Sequence, residues 1–89
     1  MDINYESYKV FYHVANTLSF SAAAKQLLVS PAAVSHSIKV LEEKLGLSLF
    51  IRSTRCVRLT LEGDILFKYI KPAINLIKLG EIQLLKTIH

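Results

Sequence analysis

The sequence predicts a mainly α fold: three short helices, a two-stranded β hairpin and a long C-terminal helix. Three observations predict it. Two amphipathic helical patterns meet at a tight turn around Val29 and Ser30. Two short β-prone runs flank the turn-forming segment Ser53-Thr54-Arg55. An apolar stripe at helical spacing then continues toward the C-terminus.

Each element has its own signal. Asn4 is placed to cap a first helix over 5–17, with Tyr8, Phe11, Tyr12, Val14 and Ala15 as its buried side. Thr17, Leu18 and Ser19 end it, and Phe20 reads as a core anchor. Ser21 is expected to cap a second helix over 22–28, opened by three alanines that favour helix and allow close approach of a neighbour. Ser30-Pro31 is a strong start for a third helix over 31–45. Serine accepts from orphan amides, and proline at the first helical position lacks only a donor the helix does not use. Gly46 follows as its terminator. Val34, Ile38, Leu41 and Leu45 share one side of this helix; Ala32, Ser35, His36 and Lys39 share the other. Strands are expected at Leu47–Ile51 and Cys56–Leu59. Thr60 is placed to cap the last helix, from 61 onward, with a kink near 68–72 from Pro72 and a second weak point at Gly80. In order, this is a winged helix–turn–helix: residues 1–60 form the winged unit and residues 61–89 a linker and dimerisation helix.

The 89 residues suffice for one domain with one modest core, and 52% hydrophobic content argues for a folded chain. The net charge is +4. Its placement is more informative than its size. Lys25, Lys39, Lys44, Arg52, Arg55 and Arg58 lie between residues 25 and 58 against Glu42 and Glu43 alone, so this stretch carries the whole excess. All three arginines fall on the hairpin. Phosphate contact is the reading that this position favours over a solvated loop, while Arg52 is also placed to brace the wing. Cys56 is the single cysteine, which excludes an intrachain disulfide or cysteine-based zinc site. Near the arginines it is a candidate redox thiol, though a half-buried strand residue is the simpler reading. His13 and His89 have no partner at metal-ligand spacing, and neither a metal nor a cofactor is expected. The N-terminus lacks the pattern of a secretory signal, and lysines interrupt every long apolar run, so a cytoplasmic protein is expected.

Ser35 and His36 are adjacent, which invites a catalytic reading. Neighbouring positions diverge by about 100° around a helix, so the two side chains are not set for the required hydrogen bond. No enzyme activity is expected. His36 is read instead as a surface donor on a face of small and polar side chains, beside a cationic hairpin. That combination fits a polyanionic groove. The last helix carries Leu66, Ile70, Ala73, Ile77, Leu84 and Ile88 on one continuing stripe, longer than a small core needs. A second copy of the chain is its expected cover. A membrane-surface helix is the alternative, weakened by sparse lysines mixed with Glu62, Asp64 and Glu81. A winged module that binds protein is the other alternative.

The chain resembles the N-terminal DNA-binding domain of LysR-type transcriptional regulators over nearly its whole length. The resemblance rests on Phe20-Ser21, Ala23-Ala24, Leu27, Val29-Ser30, Ala33, Ser35, Ile38, Leu41-Glu42, Leu45-Gly46, Leu49-Phe50, Arg52, Leu59-Thr60 and Gly63. It implies that the third helix reads the major groove of double-stranded DNA, through Ala32, Ser35, His36 and Lys39 together with Pro31. It implies phosphate contacts at Ser21 and Ser30 and wing contacts from Arg52, Arg55 and Arg58. It implies a homodimer through the last helix on a near-palindromic operator. Members often carry Gln-Pro where Pro31-Ala32 stand, Arg where His36 stands, and glycine where Thr54 stands, so base preference does not carry over. Members usually continue into an effector-binding domain. The apolar end of the last helix has no clear cap, which favours a fragment; a small-molecule effector is expected only with such a domain.

Overall fold

The computed structural model describes residues 3–88. Four helices and one hairpin follow in the order α1 (Tyr5–Thr17), α2 (Phe20–Leu27), α3 (Pro31–Leu45), β1 (Phe50–Arg52), β2 (Val57–Leu59) and α4 (Leu61–Ile88). The mainly α winged helix–turn–helix architecture read from the sequence is the one observed.

Local chemistry sets most boundaries. Asn4 Oδ1 accepts from Ser7 N at 3.0 Å and caps α1. Ser30 Oγ accepts from Ala33 N at 3.1 Å and caps α3, with Pro31 at its first position. Gly46 closes α3 with φ 74°, its amide donating to Glu42 O at 2.8 Å. Leu18 and Leu28 perform the same left-handed closure for α1 and α2, at φ 52° and 59°. The cap of α2 corrects the expectation. Ser19, not Ser21, accepts from Ala22 N at 3.1 Å, and the helix begins at Phe20. α1 ends at Thr17 with Leu18 in the left-handed conformation, and Ser19 follows directly in the extended conformation that a cap needs.

The hairpin is shorter than expected. Its antiparallel register pairs Phe50 with Leu59, Ile51 with Arg58 and Arg52 with Val57. Leu47, Ser48 and Leu49 lie outside it and Arg52 extends it past the expected end at Ile51; ahead of the strand, Glu42 Oε2 accepts from Leu49 N at 2.6 Å and Phe50 N at 3.3 Å. Cys56 is also outside, exposed in the turn, because Ser53 N closes that turn on Cys56 O at 2.9 Å. Ser53 Oγ accepts from Cys56 N at 3.1 Å and Arg55 N at 3.4 Å. None of these turn residues has positive φ, so Thr54 fits where a left-handed turn would need glycine.

The core gathers Phe11, Val14, Ala15, Ala23, Ala24, Val34, Ile38, Leu41, Leu49 and Phe50 between α1, α2, α3 and β1. Phe11 contacts Phe50 (5.5 Å between centroids) and Phe67 (6.3 Å), and Phe20 meets Phe50 edge-on at 6.1 Å. The first half of α4 belongs to this packing. Leu66, Phe67 and Ile70 are half-buried against the core and Ile74 is buried. Thr60 starts the helix: its Oγ1 accepts from Gly63 N at 3.0 Å and donates to Ser48 O at 2.8 Å. Gly63 is buried where a Cβ would overlap the Leu49 carbonyl and meet Leu59 Cδ2 at 3.0 Å, so only glycine lets α4 seat on the hairpin. The helix is continuous through Pro72 and Gly80 to Ile88.

Candidate nucleic-acid interface

The two sides of α3 separate as their spacing demands. Val34, Ile38 and Leu41 are fully buried. Pro31, Ala32, His36 and Lys39 are exposed on the other side, and Ser35 is half-buried between them. The burial of one side fixes the orientation of the other, so the exposed face is presented on a rigid base. The capped start of α3 adds the free amides and positive end of a helix dipole next to exposed Ser30.

The wing lies against this face through Arg52. Its Nη1 donates to Ser35 Oγ at 2.9 Å, and its guanidinium carbon stands 4.2 Å from the Phe20 ring centroid. One side chain on β1 thus touches both α2 and α3. The bracing role is observed, and the Ser35 hydroxyl is engaged by Arg52, not by His36. Arg55 and Arg58 are different. Arg55 is exposed at the turn and Arg58 is exposed on β2 opposite Ile51. Neither side chain, nor those of His36 and Lys39, makes a hydrogen bond or ion pair within the described residues. These are solvated charges and donors available to a ligand.

Ser21 and Arg55 come together, although 34 residues separate them in sequence. Both line a polar cleft of about 460 Å³ between the start of α2 and the wing turn, with Ser19, Ser53, Thr54 and Cys56 among its other walls. What sequence reading missed are long-range contacts behind the surface: Glu42 holds the entry to β1, Thr60, the expected cap of α4, also donates to the Ser48 carbonyl beside it, and Phe20 supports Arg52. Their signal, a side chain that meets a backbone group or another side chain far along the sequence, has no local periodicity.

The expected interface stripe on α4 divides. Leu66 and Ile70 pack against the chain's own core, because the first turns of α4 lie on α1. Ala73, Ile77, Leu84 and Ile88 are exposed, as are Leu76, Leu79, Ile82 and Leu85. His13, half-buried on α1, bonds Gln26 Oε1 through Nδ1 at 2.7 Å; His89 lies outside the described residues. Among the described residues no group of three histidine, cysteine or carboxylate side chains is set to hold a metal ion. No helix among them is long and apolar enough to cross a membrane.

Comparison with known proteins places this arrangement. Residues 5–64 match the family model described as bacterial regulatory helix-turn-helix protein, lysR family. The glycine cleavage system transcriptional activator of Escherichia coli K12 is 52% identical over 63 residues, which is 71% of this chain and 21% of that protein. The HTH-type transcriptional regulator YcaN of the same strain, itself uncharacterised, is 42% identical over 79 residues, 89% of this chain and 26% of the relative. The chain therefore spans about a quarter of the length of such relatives. Among solved structures, the BenM DNA-binding domain in complex with catB site 1 DNA superposes with a TM-score of 0.84 at 28% identity, covering 97% of this chain and 96% of that one. The CbnR DNA-binding domain in its DNA complex gives 0.79 at 26% identity over 98% and 100%.

Proposed function

The chain belongs to the lysR family of bacterial regulatory helix-turn-helix proteins, and from that premise we propose that it reads double-stranded DNA as the sequence-specific part of a transcription regulator. One observation carries the reading. The exposed side of α3 bears Ala32, Ser35, His36 and Lys39 on a fully packed base, flanked by the uncommitted cations Arg55 and Arg58. The DNA complexes formed by the BenM and CbnR domains support it. In this reading α3 enters the major groove. The amides at the starts of α2 and α3, with Ser21 and Ser30, take phosphates. Arg55 and Arg58 add backbone or minor-groove attraction. Arg52 contributes charge while holding α3 and the wing together.

Residues 1–60 supply the reading surface, and residues 61–89 buttress it and pair two copies. The distal half of α4 carries at least seven exposed leucines and isoleucines, and an identical helix is the simplest symmetric cover. A near-palindromic operator follows from two-fold symmetry. The compartment of such a regulator is the cytoplasm, where bacterial DNA lies. The chain carries out no reaction, and a small-molecule effector would need a further domain.

A salt titration on random duplex tests this reading. With ~5–8 phosphate contacts per dimer, log K against log salt has an expected slope of about −4 to −7. A slope near zero would remove it in favour of a protein-binding winged module. Retention on anionic vesicles with no duplex binding would favour a membrane-surface role for α4.

A further inference from the structure

We propose that Arg52 is a positioning residue that fixes the hydrogen-bond polarity of Ser35, making its hydroxyl a donor toward the groove and so specifying a base edge that accepts. The inference rests on the reading of α3 as the groove-facing helix. A serine hydroxyl can serve either role and by itself discriminates poorly between base edges. Its neighbour decides. The guanidinium has only donors, so in the 2.9 Å contact between Arg52 Nη1 and Ser35 Oγ the serine oxygen is the acceptor. The cation also weakens the remaining lone pair of that oxygen as an acceptor for a second donor.

The serine proton is then free. Two helical hydroxyls in this chain spend theirs on the preceding turn: Thr17 Oγ1 donates to His13 O at 2.8 Å and Thr87 Oγ1 to Gln83 O at 2.9 Å. Ser35 makes no such bond within the described residues. Arg52 itself is held. Its guanidinium lies over Phe20, Phe20 meets Phe50, and Phe50 is buried in the core. Its backbone is fixed by pairing with Val57. The polarity of Ser35 is thus imposed by a built contact. The bases that fit are those with a major-groove acceptor facing Ser35: guanine O6 or N7, adenine N7, or thymine O4. The cytosine and adenine amino groups do not fit.

The test begins with site selection from a random duplex pool, using wild type and Ser35→Ala; the base pair whose preference Ser35→Ala erases is the pair Ser35 reads. Wild type is then measured on duplexes in which single analogues delete one acceptor there: 7-deazapurines for N7, 2-aminopurine for guanine O6, and 4-deoxythymine for O4. One deletion is expected to weaken binding about 5- to 100-fold. In Arg52→Met, which keeps an apolar stem for Phe20, preference at that pair should relax to within about 2-fold between acceptor and amino edges, while preferences at other pairs persist. The proposal is overturned if no acceptor deletion affects wild type, or if Arg52→Met weakens all sequences evenly and leaves the Ser35 pair discriminated. Should Arg52→Met fail to fold by circular dichroism, the analogue measurements on wild type still decide. Failure of the parent reading looks different: wild type then enriches no sequence at all.

Discussion

Helices α3 and α4 are both amphipathic, yet only α3 resolves its apolar side within the chain. Val34, Ile38 and Leu41 are fully buried, and what α3 leaves in solvent is small, polar or cationic. The apolar side of α4 is covered only as far as Ile74. Beyond it, Leu76, Ile77, Leu79, Ile82, Leu84, Leu85 and Ile88 stand 44–68% exposed. A face of donors on a closed core is complete without a partner copy and waits for a polar ligand. A face of aliphatic groups is costly in water, about 1.5–3 kcal/mol for each side chain left unburied, and marks where another apolar surface belongs. In the proposed function the two helices divide reading from pairing.

The largest effect that would break this comparison comes from charging the distal face. Ile77→Asp with Leu84→Asp should convert dimers to monomers at tens of micromolar by sedimentation. Far-UV circular dichroism should retain helical content. Affinity for the selected site should fall by at least about 100-fold, from two lost side-chain burials of that size. A wild type that is already monomeric while binding its site tightly would sink the pairing role. Next comes the seat of α4. Gly63→Ala drives a methyl group into the Leu49 carbonyl and should cost about 3 kcal/mol in urea unfolding. The same substitution on the same helix at Gly80, where an added Cβ meets nothing within 4 Å, should stabilise by about 0.5–1 kcal/mol. Opposite signs at the two glycines would sharpen the boundary between the packed and unpacked halves; equal signs would erase it.

The parts legible in sequence were those set by neighbours along the chain. Asn4, Ser30-Pro31 and Gly46 act on amides or carbonyls two to four residues away, and each boundary they set is where they place it. The core side of α3 followed from its spacing. The misreadings share a physical cause, which is competition from afar. Ser21 lost the cap to Ser19 because Leu18 adopts a left-handed turn, a conformation that leucine does not advertise. Leu47 lost its strand because Glu42, on the preceding helix, captures the amides of Leu49 and Phe50. Cys56 lost its place because Ser53 closes the turn early. On α4, Leu66 and Ile70 share the stripe of Ile77 and Leu84. Helical periodicity tells which side is apolar, not whose core covers it. At the candidate interface, the small and charged residues were visible, but the Arg52–Ser35 pairing joins positions 17 apart and needed coordinates.

The central claim is that α3 reads bases while α4 pairs two readers, and site selection from a random duplex pool tests it most directly. Wild type should enrich a near-palindromic site with half-site centres about one DNA turn apart or a multiple of it, ~34 Å per turn. His36→Ala should change preference at matching positions in both half-sites, at about 1–3 kcal/mol on the best site. Enrichment of no sequence, or a wild-type profile that His36→Ala leaves intact in both preference and affinity, would contradict the account.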